Sequence, residues 1–294
     1  MHRIAIIADI HANLFALEAV IDDLERRDVD EVMVAGDLVG RGPQGNAVIH
    51  RIQELGWSSV RGNHEDYLLS FYHGDIPDSW RHDEQWAASR WMADELDAAA
   101  VTYIESLPFS RRSKLDSTVE VFHGSPNSHS EGIGHWTPQS RLREFLDTID
   151  GSVLVCAHTH RPLTFKIDAG LVVNVGSVGL PFNGDWRAQY AILQGHRDQW
   201  EASFHRIPYP RQQFLDLYQS SGFLSQGAIT AKLLHYEVRH ARPFLVPFLK
   251  WVELTDRTPR SEHLADFIEV YDPAESMATF LEKTRRTSQR SSPS

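Results

Sequence analysis

AspGluValMetValAlaGlyAspLeuValGlyArgGlyPro, residues 30–43, decides the fold. Val32 to Ala35 is an apolar run of the length of a buried parallel strand, and it stops at Gly36 with a carboxylate, Asp37, at its carboxyl end. Open α/β sheets collect ligands at that end of their strands. Four other stretches repeat the arrangement, each an apolar run followed by a short turn that carries Asp, Asn or His. All of them can converge on Asp37.

Working outward, residues 2–9 read as the first strand, followed by Leu14, Leu17, Val20, Ile21 and Leu24 at helical spacing with Asn13 as N-cap. Pro43 starts a second helix with Val48, Ile49, Ile52 and Leu55 on its apolar side, and residues 57–65 form a short third strand and turn. The order β-α-β-α-β is a doubly wound signal. Residues 66–117 differ in kind: Trp80, Trp86, Trp91, Met92 and Leu96 predict one or two helices with aromatic faces, inserted over one face of the sheet. Strand character returns at 118–124 and 153–157, with a helix around 138–147 between them. Runs at 163–167 and 171–176, then 187–193 and 200–207, read as two hairpins, so two sheets pack together. From about Pro208 the pattern is helical and interrupted by prolines, giving an appended segment over 206–284. A Ser/Arg-rich tail, 285–294, reads as disordered.

The chain of 294 residues is 41% hydrophobic and 23% charged, an ordinary soluble composition. Its single cysteine, Cys156, sits inside an apolar run and reads as a small buried hydrophobe, so no disulfide framework exists. No stretch has the length and apolarity of a membrane span and the N-terminus has no signal-peptide pattern, from which a cytoplasmic location and no membrane partner are expected. Residues 206–294 hold 12 Lys and Arg against 10 Asp and Glu, a net of +2, which leaves −13 over residues 1–205. A surface that acidic repels a nucleic-acid backbone, and an anionic substrate requires bound cations to invert the field locally.

The residues that carry chemistry are Asp9 and His11, Asp37, Asn63 and His64, His123, and His158 and His160, each group at the end of an expected strand. Carboxylate, imidazole and amide oxygen together suit Mn, Fe, Zn, Ni or Co and are wrong for a thiolate-rich structural zinc site. Eight such groups exceed what one ion needs, so a dinuclear site with a bridging carboxylate is the economical reading. Singly the motifs are weak, since a strand-end Asp or a GlyAsnHisGlu turn can be a cap; HisThrHis, two imidazoles at i and i+2 on one side of an extended chain, is the strongest.

AspIleHis (9–11), GlyAspLeuValGlyArgGlyPro (36–43), GlyAsnHisGlu (62–65), HisGlySer (123–125), AlaHisThrHis (157–160) and AsnValGlySerValGly (174–179), in this order, resemble the calcineurin-like metallophosphoesterase superfamily over about residues 1–205. Among its branches the bacterial phosphodiesterase-like and diadenosine tetraphosphatase-like members look most similar. The resemblance implies a four-layer α/β/β/α sandwich with a two-metal site at the strand ends. It implies Asp9, His11 and His160 as ligands of one ion, Asn63, His123 and His158 as ligands of the other, and Asp37 as the bridge. Two divalent ions, Mn, Fe, Ni or Zn, can clamp phosphate oxygens and acidify a bridging water into a nucleophile. His64 is then the expected general acid for the departing oxygen, and Arg41 offers a fork for two phosphate oxygens.

One position departs from the pattern. Protein phosphatases of the superfamily carry Asp in GlyAspXxxValAspArgGly, where it orients the catalytic His, and here that position is Gly40. Many bacterial phosphodiesterase-like members have Gly there with an aromatic residue next, whereas this chain keeps Arg41. The mixed motif leans towards a phosphodiesterase acting on small phosphodiester or nucleotide substrates. The alternatives are a phosphomonoesterase, including a phosphoprotein phosphatase, and a dinucleoside polyphosphate hydrolase. A non-catalytic interaction module, as in the retromer subunit of this fold, would be expected to lack some of these residues, and all are present. His129, His135 and Trp136 are further candidates to line the cleft, with Trp136 as a stacking surface for a base. The C-terminal helices are candidates for packing on the sandwich, covering the cleft or forming a homo-oligomer interface.

Overall fold

The computed structural model describes residues 2–196 and 199–291. Two five-stranded sheets lie face to face with helices on both outer sides. The first sheet has the order β10(Gln199–Ile207), β9(Ala188–His196), β1(His2–Ile7), β2(Glu31–Val34), β3(Ser58–Ser59). The second runs β4(Ser110–Arg112), β5(Val119–Phe122), β6(Val153–Cys156), β8(Gly170–Asn174), β7(Leu163–Ile167). The strands that end at the chemistry-bearing turns, β1, β2 and β3 in one sheet and β5 and β6 in the other, pair in parallel, so their carboxyl ends share one edge of each sheet.

Period-two alternation along β1 assigns its two faces. Ile4, Ile6 and Ala8 join Met33, Ala35, Val121, Val155 and Val173 in the core between the sheets, whereas Ala5 and Ile7 face the helices outside. Those helices are α1(Leu14–Leu24), capped by Asn13 Oδ1 accepting from Ala16 N–H at 3.0 Å, and α2(Gly45–Leu55). They continue with α3(Asn63–His73), α4(Asp78–His82), α5(Ala87–Asp94) and α6(Ala98–Ser106). On the far side α7(Gln139–Thr148) buries Leu142, Phe145 and Leu146 against the second sheet. This is the four-layer α/β/β/α sandwich.

Several local expectations shift. The third strand is only two residues long, because Gly62 ends the extended chain and α3 begins at Asn63. The helix after Pro43 starts at Gly45. The inserted region is four short helices and a strand rather than one or two helices. Beyond residue 206 come α8(Arg211–Ser220), α9(Phe223–Gln226), α10(Ala228–His240), α11(Leu245–Leu254), α12(Leu264–Val270) and α13(Met277–Ser291). Phe214, Tyr218, Phe223 and Leu234 bury in the same core as α1 and α5, while Phe248, Trp251, Phe267, Tyr271 and Phe280 form a second cluster of their own. The tail expected to be irregular is helical from residue 285 to Ser291, and residues 292–294 lie outside the described residues.

Candidate functional site

Each turn at the shared strand edge is held in an unusual backbone conformation. Of ten non-glycine residues with positive φ among the described residues, seven are Asp9, His11, Ala12, Asp37, Arg41, His158 and His160. Left-handed backbone outside glycine persists only where its surroundings enforce it. Here the enforcement is a ladder that continues past the strands: Asp9 N–H donates to Gly36 O at 3.1 Å, His11 N–H to Asp37 O at 3.0 Å, and Ala12 N–H to Leu38 O at 2.9 Å. The fully buried Glu65 completes it, its carboxylate accepting from the N–H groups of Gly62, Asp37, Leu38 and Val39 at 2.7–3.2 Å. Burial and the neighbouring Asp37 charge push the Glu65 carboxyl up to about 7 against those four donors. Gly62 permits the closest approach, since a Cβ there would stand 2.2 Å from Asp37 Oδ1.

These turns bring Asp9, His11, Asp37, Asn63, His123, His158 and His160 into one cluster. Among the described residues three groups have ligating atoms within 4.8 Å of one another: Asp9 with His11 and His160, Asp37 with His123 and His158, and, between them, His11 with Asp37 and His64. Asn63 Oδ1 lies 3.1 Å from His123 Nε2 and so joins the second group.

The donor set fits cations on independent grounds. His11, His123 and His160 each direct Nδ1 at a backbone carbonyl, Val39 O at 3.3 Å, Ala35 O at 2.8 Å and Leu180 O at 2.5 Å. A carbonyl can only accept, so Nδ1 carries the proton, and in His11 and His160 Nε2 turns a lone pair into the cluster. The result is two Nε2 lone pairs, of His11 and His160, facing each other at 3.1 Å. Asp9 Oδ1 is buried without a hydrogen-bond partner, 3.4 Å from His160 Nε2 and 3.8 Å from His11 Nε2. Two ligands each about 2.0–2.2 Å from a common ion stand roughly 3.0–3.5 Å apart. Two of the three separations, 3.1 and 3.4 Å, fall in that range and the third, 3.8 Å, lies just beyond it, so the orphaned oxygen and opposed lone pairs are close to the spacing of ligands of one ion.

The second group is arranged differently, as an ion pair of His123 and Asp37 from which a cation would displace a proton. Burial alone would lower His123, but the charge and hydrogen bond of Asp37, 3.2 Å away, outweigh it and hold the imidazole up to about 10. Burial likewise opposes ionisation of Asp37, and His123, His64 and His11 keep it well below the usual carboxylate range. Asp37 also takes an N–H bond from His64 at 2.9 Å at the start of α3, whose positive end favours an anion there.

Beside the cluster, His64 and Arg41 form a unit that the sequence alone did not complete. Arg41 Nε–H donates to His64 Nε2 at 3.0 Å, and Arg41 Nη1–H donates to Glu237 Oε2 at 2.8 Å. Glu237 belongs to α10 and is 1% exposed, and its second oxygen accepts from the N–H groups of Phe244 and Leu245 at the start of α11. Tyr218, on α8, donates to Arg41 O. Burial, with Arg41 against the ring, lowers His64 to about 3. Gly40 presses on the other edge of that ring: a Cβ there would sit 2.5 Å from His64 Nδ1, and its φ of +78° also disfavours a side chain. An Asp at position 40 therefore could not orient this His, and Arg41 contacts it from the opposite edge.

Of the loop residues expected to line the cleft, Trp136 is 63% exposed and packs on Gly134, and His129 is held by Asp66 at 2.6 Å and stacks on Phe109. His135 lies edge-on to Phe165. The aromatic side chains that do reach the space beside His64 are Tyr67, from α3, and Trp86, from the inserted region.

Comparison with known proteins agrees with the fold. A metallophosphoesterase from Sphaerobacter thermophilus is 28% identical, with a TM-score of 0.66 over 81% of this chain and 99% of that one. A hypothetical protein from Pyrococcus horikoshii shares the fold with a TM-score of 0.67 over 80% of this chain and 98% of its own, at 21% identity. A symmetrical bis(5'-nucleosyl)-tetraphosphatase from Psychromonas ingrahamii is 33% identical over 122 residues, 40% of this chain and 43% of that protein. The family model for calcineurin-like phosphoesterases matches residues 2–162, from the first strand through the second imidazole of the HisThrHis turn. The chain belongs to the calcineurin-like phosphoesterase family.

Proposed function

We propose that this protein is a two-metal phosphodiesterase acting on small organic phosphodiesters. Asp9, His11 and His160 would hold one divalent cation and Asn63, His123 and His158 the other, with Asp37 between them. The observation that carries the reading is the buried, unpartnered Asp9 Oδ1 facing imidazole nitrogens whose opposite edges are tied to backbone carbonyls. Such cations would supply the positive charge that draws phosphate into an acidic protein and would acidify a water for attack on phosphorus. Mixed nitrogen and oxygen ligands accept Mn, Fe, Ni or Zn.

The protein's own groups do the rest. Arg41 meets a non-bridging phosphate oxygen, and in doing so it releases His64 Nε2, which then takes up a proton and delivers it to the departing oxygen. Resting His64 is neutral, so proton uptake is coupled to arrival of the substrate's negative charge. The preference for a diester rests on charge: Arg41 is already neutralised by Glu237, which suits a monoanionic diester better than a dianionic monoester.

The test is a panel of bis-p-nitrophenyl phosphate, p-nitrophenyl phosphate and a symmetrical dinucleoside tetraphosphate under Mn, Ni, Zn and Mg. Faster turnover of the first is expected. Clear preference for the monoester would overturn the diester assignment, and preference for the dinucleotide would favour the activity named for the Psychromonas relative. Absence of hydrolysis with every metal would remove the enzymatic reading altogether.

A further inference from the structure

A cavity of about 270 Å³ opens directly off the cluster, with Asn63, His64 and His158 at its inner end. Its walls come from opposite parts of the chain: Tyr67, Trp86 and Met92 from α3 and the inserted region, and Leu234, Leu245 and Leu249 from α10 and α11. The two walls are joined beside the cavity by the Thr230 hydroxyl, which donates to Gln85 O at 2.5 Å, and behind it by Trp91 packing on Phe223. Trp86 is fixed from behind by stacking on Trp80 at 3.9 Å. The wall is therefore a built surface and not a loosely covered groove.

Resting on the two-metal reading, we infer that this cavity seats the leaving group of the substrate, and that the group is uncharged and apolar, of one- or two-ring size. Three observations converge. First, His64 lines the cavity, so the oxygen it serves belongs to whatever group occupies it. Second, Arg41 is the only Lys or Arg among the lining residues and is already paired with Glu237, while no Asp or Glu lines the wall. A second phosphate, or a polyphosphate chain, would be desolvated there without a partner, which is costly. Third, a cavity of about 150 Å³ accepts benzene, so the larger space takes a substituted ring or a bicyclic group. The neutral polar groups at the wall, Gln85 and Ser89, allow a substituent on that ring a hydrogen bond without requiring a charge.

The experiment is calorimetric titration of the Mn-loaded full chain with phenylphosphonate and with methylphosphonate, repeated on Ser89→Phe and Leu249→Phe. These two substitutions fill the cavity from opposite walls and touch no group assigned to metal, Arg41 or His64. Phenylphosphonate should bind the parent at least about tenfold more tightly, equivalent to about 1.4 kcal/mol. In each variant that preference should fall below threefold, with methylphosphonate affinity and metal content unchanged, which also shows the variants are folded. Equal affinity of the two phosphonates for the parent, or a preference untouched by both variants, would overturn the cavity assignment and leave the metal centre standing. If neither phosphonate binds in a metal-dependent way, the two-metal reading fails and the leaving-group assignment fails with it.

Discussion

Glu237→Ala separates a helix-packing residue from a working part of the site. The substitution removes a carboxylate that is 1% exposed and leaves three donors facing the gap: Arg41 Nη1 and the N–H groups of Phe244 and Leu245. Removing one partner of a buried ion pair costs about 3–5 kcal/mol, because the other charge stays desolvated. The Arg41 side chain is 15% exposed and can relax towards water, which favours the lower end. At about 3 kcal/mol the expected fall in Tm is roughly 6–12 °C. Glu237→Gln keeps an acceptor for the two N–H groups and loses only the charge, so its cost should be about 1.5–2 kcal/mol. The kinetic consequence follows from Arg41. Without its anchor the guanidinium no longer stands where it can meet the phosphate oxygen and hand over His64 Nε2, and kcat/KM should drop about tenfold, about 1.4 kcal/mol, with most of the loss in kcat. Thermal melts, metal content, and kcat and KM on the best substrate of the panel are the readouts. Should Glu237→Gln melt low yet keep the parent kcat/KM, Glu237 is only a structural residue and the link to His64 is wrong. If neither melting nor turnover moves in Glu237→Ala, the buried pair itself is refuted.

Two further predictions follow from the same reasoning. His64→Ala should retain both metals, since His64 Nε2 is taken by Arg41 although its ring lies within reach of His11 and Asp37, and lose about 10²–10⁴ in kcat as expected for a missing general acid; an unchanged rate would remove it from that role. Asp23, which accepts from Arg27 Nε at 2.7 Å and from the buried Tyr190 hydroxyl at 2.6 Å, is held below the usual carboxylate range. Burial opposes that shift, and the Arg27 and Tyr190 hydrogen bonds overcome it. A depressed carboxylate stabilises the fold above its unfolded value of about 3.9 and stops doing so as pH falls through the folded one. Asp23→Asn should therefore melt below the parent at pH 7 and match it at about pH 2; a gap constant across that range would contradict the assignment.

The candidate cluster was legible because every member sits within a local pattern: an apolar strand, a sharp stop, then a carboxylate, amide or imidazole. Asp9, Asp37, Asn63, His123 and His158 are each announced by their own strand, and the parallel pairing that joins them follows from the βαβ order. Glu65 was legible only as part of GlyAsnHisGlu. That it binds four N–H groups, three of them about 27 residues upstream, depends on a turn-on-turn contact that leaves no periodic trace. Glu237 lies 196 residues from Arg41 on an amphipathic helix, where a charged residue at any position reads as solvated face. A buried Glu differs from an exposed one only through what packs over it, here Phe244 and Leu245 from the next helix. The two-residue third strand was overestimated for a related reason: TrpSerSerVal carries the pattern of an edge strand, but Gly62 and the capping Glu65 commit the chain to a helix immediately afterwards.

The cost of the left-handed turns bears on what holds the site together. Seven residues at roughly 1 kcal/mol each would be a large share of a typical domain's stability of about 5–15 kcal/mol. Ligand-binding energy alone could offset that strain, but then the turns would be expected to relax whenever cations leave. The ladder from Asp9 to Ala12 against Gly36 to Leu38, with Glu65 clasping the second turn, offers an offset that needs no ion. Arg41, at a φ of 62°, stands at the end of the same strained run, and its carbonyl and guanidinium are taken by Tyr218 and Glu237. The C-terminal helices thus fasten the far end of the turn that Glu65 fastens at the near end. Loosening α10 should disturb Arg41 and His64 before it disturbs Asp37, so that on the proposed function cation binding and leaving-group protonation would rest on different supports.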